Sequence, residues 1–199
     1  MIYNIRGALG TQVLETAYCV LVGLIRSNTL TAVAINTANS TVANHNYVSR
    51  LLQVPVPVKL VQATNKQAVW KEGRLLDVFL HAKETRLPLR VAPIPVQSLV
   101  HMRTGDRFPV SIAAYQPYLQ GASTIGDAVG ADPIMDWRKC LGARRIVGAV
   151  SAFTISALLF DTNKEMLLFK QQDGPLPVPQ HAIEAVDSLR NVCPNLKWI

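Results

Sequence analysis

The stretch "GARRIVGAVSAFTISALLF", residues 142–160, decides the fold. Its first part, "RRIVGAV" (144–150), is an apolar, β-branched run that ends in small residues, which predicts a strand. Its second part, "SAFTISALLF" (151–160), predicts a helix opened by Ser151 as N-cap. A strand that turns directly into a helix is half of a crossover, and parallel strands need such connections. The same order extends outward. "DPIMDWRKCLG" (132–142) predicts a preceding helix with Pro133 in its first turn, where a missing N–H costs nothing. "EMLLFKQ" (165–171) predicts the next strand and "PQHAIEAVDSLRNV" (179–192) a closing amphipathic helix. Upstream, "VQSLVHM" (96–102) predicts a strand that runs into a glycine-containing loop.

The first half repeats the alternation. "MIYNI" (1–5), "TLTAVAIN" (29–36) and "VPVKLVQ" (56–62) predict strands, the prolines of the last favouring an edge. Helices are predicted over 11–26, 40–53 and 65–84, the last with Val69, Leu76, Phe79 and Leu80 on one side and Gly73 weakening its middle. The proline-rich "ETRLPLRVAPIP" (84–95) is the natural joint. The expectation is an α/β protein of two Rossmann-like lobes, residues 1–92 and 93–199, each a parallel sheet with crossover helices. One continuous sheet is the other arrangement that this alternation allows.

Composition narrows the function classes. Of 199 residues, 49% are hydrophobic and 17% charged, enough apolar material for a core and too little charge for a disordered chain. The formal net charge of +7 and a pI near 9.6 favour anionic partners such as nucleotides or nucleic acid, or mark only a basic surface. Charge concentrates at Arg138, Lys139, Arg144 and Arg145. Three cysteines at long spacings suit neither a disulfide framework nor a zinc site, and Cys19 and Cys140 read as core thiols. Four scattered histidines lack ligand spacing, so no metal is expected. The longest apolar run, "AYCVLVGLI" (17–25), is too short to span a bilayer, and no signal-peptide pattern opens the chain. A cytoplasmic protein without a membrane span is the expectation.

Three loops follow predicted strands, where open parallel sheets bind ligands against helix N-termini. In the first, Gly7 and Gly10 let the backbone approach a ligand, and Thr11 and Gln12 offer side-chain donors. In the second, "HMRTGD" (101–106), Arg103 presents a planar donor fork suited to phosphate, with His101 and Asp106 able to orient it or reach a hydroxyl. The alternative is a turn capped by Asp106 with Arg103 paired to it. In the third, Ser151 and Thr154 flank Phe153 at a helix start suited to a phosphate, or equally to a simple serine cap.

The ordered set G-x-x-G-x-Q, H-x-R-x-G-D and D-W-x-x-C-L-G-A-R-R-I-V-G-A-V-S-A-F-T resembles the fucosyltransferase-type glycosyltransferases. These include α-1,2-, α-1,6- and protein O-fucosyltransferases and related bacterial polysaccharide transferases. Their loops usually read G-G-x-G-N-Q, H-x-R-R-G-D and S-x-S-x-F-S. The resemblance implies two lobes of GT-B type, the first on the acceptor side and the second on the nucleotide-sugar side. It implies metal-independent, inverting transfer of a fucose-like sugar from a donor such as GDP-fucose, which is a co-substrate; no cofactor is implied. Arg103 corresponds to the arginine that grips the β-phosphate, with His101 and Asp106 as its motif neighbours. Gly7, Gly10 and Gln12 match the first loop, Ser151, Phe153 and Thr154 the phosphate-binding helix start, and Asp136 an acidic residue in the preceding helix.

Thr11 stands where the family has asparagine, Thr104 where it has a second arginine, and Ala149 and Val150 where it has polar residues. Only 25 residues (107–131) separate Asp106 from Asp132, where relatives carry an extra strand and helices that help bind the base.

In such a reaction the departing phosphate gains negative charge, which Arg103, the helix start at Ser151 and, at the edge of the first loop, Arg6 would meet. Asp106, Glu15 and Asp77 are the candidates, by residue type, for accepting the proton of the acceptor hydroxyl; Glu15 reads equally as a surface carboxylate facing the helix dipole. The acceptor is a glycan or another hydroxyl compound, and the net basicity also permits DNA. Two other classes stay open: a non-catalytic descendant serving as a binding or structural module of a larger assembly, with homo-oligomer contacts, and a basic nucleic-acid-binding protein.

Overall fold

The computed structural model describes residues 2–5, 9–22, 32–36, 47–61, 73–84, 97–102, 117–118, 123–125, 132–170, 178 and 180–199. The chain is an α/β protein that divides into two compact units, Met1–Pro93 and Ile94–Ile199.

In the first unit β1 (Ile2–Ile5), β2 (Ala32–Asn36) and β3 (Val58–Val61) form a parallel sheet in chain order. Ile2 pairs with Ala32 and Val33 with Val58. Pro57 immediately precedes β3, which ends the row of three, a place where a missing N–H breaks no ladder. Helix α1 (Leu9–Val22) buries residues on every side, among them Val13, Leu14, Ala17, Val20 and Leu21, as a helix surrounded by other elements must. It packs on the short α2 (Tyr47–Leu51) and on α3 (Gly73–Glu84). Among the described side chains of α3, Val78 and Phe79 are buried, while Leu80 is 38% exposed. Phe79 of the predicted stripe is thus buried, while Leu80 turns outward and Val78 inward, since a helical face can hold Phe79 together with either neighbour.

The second unit is a five-stranded parallel sheet in the order β5-β4-β6-β7-β8. The strands are β4 (Gln97–Met102), β5 (Ser123–Ile125), β6 (Ala143–Gly148), β7 (Glu165–Leu168) and β8 (Leu196–Trp198). From β4 the chain steps to one side to make β5. It then returns past β4 to make β6 and continues outward through β7 and β8. Strands β4 and β6 thus flank a topological switch point. Strand β5 lies inside the 107–131 segment, so that segment is not bare of sheet: it supplies the strand that pairs with β4, Val100 opposite Ser123.

Helix α4 (Pro133–Gly142) begins as its sequence dictates. The Asp132 carboxylate accepts from the Ile134 amide at 3.0 Å and Pro133 occupies the first turn. At its other end the helix passes directly into β6. There Lys164, only 5% exposed, donates its ammonium to the carbonyls of Leu141 and Ala143, meeting acceptors that the helix end leaves open. After β6, α5 is a single turn (Ala152–Ser156) that tightens into a 3₁₀ segment (Ala157–Phe160), where one helix over 151–160 was predicted. Helix α6 (Gln180–Leu189) turns Val186 and Leu189 inward. Near the carboxyl ends of β6 and β7, Val147, Ala149, Leu167 and Phe169 form an apolar cluster against which Ile199 packs.

Candidate functional site

In the first unit α1 starts at Leu9, two residues before the predicted start, so Gly10, Thr11 and Gln12 belong to its first turn. The amides of Gly10 and Thr11 lie among those that an α-helix leaves without an internal acceptor. Thr11 is half-buried at this end. Gln12 is fully buried, and its Oε1 accepts from the Tyr47 amide at 3.2 Å. Tyr47 opens α2, so Gln12 caps a helix 35 positions further along the chain. Glu15 is 4% exposed. It is therefore no surface carboxylate but one of three polar residues, with Gln12 and Thr16, buried on one side of α1. The Thr16 hydroxyl has no hydrogen-bond partner among the described residues. Gly7 lies outside the described residues.

In the second unit the two remaining motifs leave the sheet from neighbouring strands. The backbone of His101 lies in β4 opposite Val147 of β6, and the pairing runs on to Met102 opposite Gly148. Both strands point their carboxyl ends the same way. One chain continues from Met102 toward Arg103, Gly105 and Asp106, which lie outside the described residues. The other continues from Gly148 through Ala149 and Val150 to Ser151.

Ser151 is extended (φ −152°, ψ 155°) and its Oγ accepts from the Thr154 amide at 3.1 Å. The Ser151 and Thr154 hydroxyls are 2.9 Å apart and share a hydrogen bond. Thr154 is fully buried, so its hydroxyl serves the cap. The Ile155 amide donates to the Ser151 carbonyl at 3.0 Å, the first bond of the helix. Helix geometry then leaves the amides of Ala152 and Phe153 as the donors at this end without an internal acceptor, beside half-buried Ser151 and Phe153.

The turn is braced from α4. The Trp137 indole N–H, on a residue fully buried, donates to Ser156 Oγ at 2.8 Å. Ser156 Oγ donates in turn to the Phe153 carbonyl at 2.9 Å. The Trp137 ring meets Phe160 edge-on, centroids 5.7 Å apart. Sequence reasoning assigned no task to Trp137 or Ser156. The available signal was a tryptophan inside a short helix, which when buried needs an acceptor for its N–H.

No protein-family model, curated protein or solved structure matches this chain.

The cationic concentration at 138–145 is partly spent inside the unit. Lys139 Nζ lies 3.1 Å from Asp136 Oδ1, and Arg145 of β6 pairs with Glu165 of β7. Arg138 Nε is buried without a hydrogen-bond partner among the described residues, and Arg144 is exposed. Asp136, matched above to an acidic residue of the family, is buried and engaged with Lys139.

Cys19, Cys140 and Cys193 are buried thiols outside any disulfide. Burial pushes the Cys140 thiol up to about 12, helped by the Asp136 carboxylate and opposed by Lys164 and Lys139. It is a neutral core group at physiological pH. Burial also lowers Lys164 from its ordinary 10.5, against the pull of Asp161 and Cys140. Among the described residues no group of three or more His, Cys, Asp and Glu side chains could hold a metal ion, and no helix is long and apolar enough to cross a membrane.

Proposed function

We propose that the chain is a compact, metal-independent, inverting glycosyltransferase of the fucosyltransferase type, with two Rossmann-like lobes in GT-B fashion, using a nucleotide-diphosphate sugar. The observation that carries this reading is the pairing of Met102 with Gly148 at the switch point of the second unit. It makes the strands that lead to the H-x-R-x-G-D loop and to the Ser151 turn immediate neighbours, at the end of an open sheet where ligands bind. In the reaction the acceptor oxygen attacks the anomeric carbon as the bond from that carbon to the β-phosphate oxygen breaks. The leaving phosphate takes the electron pair, and Arg103 with the Ala152 and Phe153 amides meets its charge. Asp106, Glu15 or Asp77 takes the acceptor proton. Gly7, Gly10 and Thr11 are the first loop's candidates for donor binding, as the resemblance implies.

A second reading, a non-catalytic scaffold serving a larger assembly, is favoured by one observation: the Gln12 carbonyl oxygen is occupied inside the protein by the Tyr47 amide. Nucleic-acid binding through the 138–145 cations is weakened by the internal pairing of Lys139 and Arg145.

Titration with GDP, GDP-fucose and UDP-glucose at two salt concentrations separates the three. The transferase reading expects saturable nucleotide binding that Arg103→Ala weakens by at least about tenfold while the fold is kept, since hydrogen bonds to charged groups each contribute roughly 1.5–3 kcal/mol. Oligonucleotide binding with a steep salt dependence supports the nucleic-acid reading. Neither kind of binding, with assembly into a defined oligomer, supports the scaffold.

A further inference from the structure

We propose that the outer face of α4, together with the first residues of β6, is a docking surface for an acidic segment of a partner protein. The surface lies at the amino end of β6, whereas the turn at Ser151 follows its carboxyl end, so it stands apart from the transferase reading.

The first observation behind it is unspent charge. Of the four cations between 138 and 145, Lys139 and Arg145 have acidic neighbours, Asp136 and Glu165. Arg138 and Arg144 meet no carboxylate among the described residues. Arg144 is exposed at the second position of β6. Arg138 is half-buried, and its Nε is closed off from solvent with no hydrogen-bond partner among the described residues. Its stem is thus laid against the protein, so the guanidinium loses little freedom when a partner takes hold of it. A cation held this way without a counter-ion gains from a carboxylate that a partner brings, because part of its desolvation is already met.

The second observation is an apolar side chain set among the charges. Met135 is 51% exposed, the most of any large hydrophobic side chain among the described residues. It lies one turn before Arg138 and Lys139, and residues three and four apart share a helix face. Methionine and arginine are enriched at protein interfaces, and methionine adapts to partners of different shape. Arg144 is close by. From Arg138 the chain runs about 6 Å of helix to Gly142 and about 7 Å of strand to Arg144, so the two Cα atoms are at most about 13 Å apart.

The chemistry of the face selects its occupant. A second copy of the chain, with a net charge of +7, brings cations to cations. A phosphate backbone has no apolar group for Met135, and two of the four cations are already paired inside the unit. A segment that interleaves carboxylates with an apolar side chain answers both observations.

The test uses the full chain and two short labelled peptides, one of glutamates with interspersed leucines, the other with glutamine in place of each glutamate. Binding is followed by fluorescence anisotropy and located by chemical-shift mapping, with far-ultraviolet circular dichroism as the check on folding. The expected result is saturable binding of the glutamate peptide, at least about tenfold tighter than the glutamine peptide, since several charged contacts act together. The Met135 methyl and the Arg138 side-chain N–H shift as it binds. Arg138→Gln and Arg144→Gln each weaken binding by about two- to fivefold, the range of partly exposed ion pairs. Met135→Ala weakens it by about fivefold, as expected for burying the exposed half of a methionine side chain. Lys197→Gln, an equal loss of charge on exposed β8, leaves the affinity as it was. No binding of the glutamate peptide, or equal binding of the two peptides, overturns the proposal. So does a loss in Lys197→Gln as large as in Arg144→Gln, because the attraction is then to net charge alone. A DNA duplex that shifts the same residues and binds more tightly than the glutamate peptide also overturns it and makes the face a nucleic-acid surface.

Discussion

Replacing Gln12 by methionine removes one acceptor while filling nearly the same volume, and it separates the two tasks that this residue can have. In the structure Gln12 is fully buried and its Oε1 receives the Tyr47 amide at 3.2 Å. Tyr47 is itself buried, so its amide has no water to turn to when the carbonyl goes. A buried donor left unsatisfied costs about 1–3 kcal/mol. The volume-conserving swap adds little, because methionine adapts to irregular gaps. For a chain of this size 1 kcal/mol moves the melting temperature by roughly 2–4 °C, so Gln12→Met melts about 2–12 °C below the wild type. The assay is a thermal melt followed by circular dichroism, paired with GDP titration at a temperature where both proteins are folded. A structural role predicts the lowered melt with GDP affinity unchanged within about twofold. A melt identical to the wild type together with lost nucleotide affinity would rule out the structural role and return Gln12 to the ligand.

Asp132→Ala removes the N-cap of α4 and is expected to cost about 1 kcal/mol, read as a lower urea midpoint with an unchanged slope. Cys140 makes the fold sensitive to alkali. Its thiol is held up to about 12 in the folded chain against an ordinary 9.0, so between those values the unfolded chain has lost a proton that the folded chain keeps. Stability therefore falls as pH rises through that window, by about 2 kcal/mol at pH 10.5, and Cys140→Ala flattens the decline. Lys164 acts in the opposite sense, its lowered value making the fold more stable as pH rises toward 10.5, so the alanine variant exposes a rising limb.

What the sequence discloses depends on how local the cause is. The Asp132-Pro133 start of α4 and the Ser151 cap are short-range chemistry, and both are legible from a few residues. The strands β4, β6 and β7 are long or apolar enough to declare themselves, and the alternation of strand and helix is enough to expect parallel pairing. Strands β5 and β8 are three residues each, too short for any period, and exist because β4 and β7 offer an edge to pair with. The exact phase of α3 is not legible in its own residues: Leu80 and Val78 are equally apolar neighbours of Phe79, and only Val78 is buried with it.

The candidate site divides in the same way. Ser151 and Thr154 sit at a helix start as expected, but Thr154 is spent within the cap rather than presented outward. Gln12 meets Tyr47 across 35 positions, and nothing in a glutamine after two glycines tells which way it will turn. The cations near residue 140 look like a patch in one dimension. In three, Lys139 finds Asp136 and Arg145 finds Glu165 on the adjacent strand. Trp137 is visible as a residue and invisible as a brace, since its partner Ser156 lies beyond an intervening strand.

Amide chemical-shift mapping on the isotope-labelled chain during addition of GDP tests whether the β4–β6 end receives a diphosphate. The backbone amides of Ala152 and Phe153 and the Arg103 side-chain N–H are expected to move together and saturate at one ligand concentration, and Arg103→Ala to abolish the response at the two amides. No response at Ala152 and Phe153, or a response confined to Arg144 and Lys197, would contradict it.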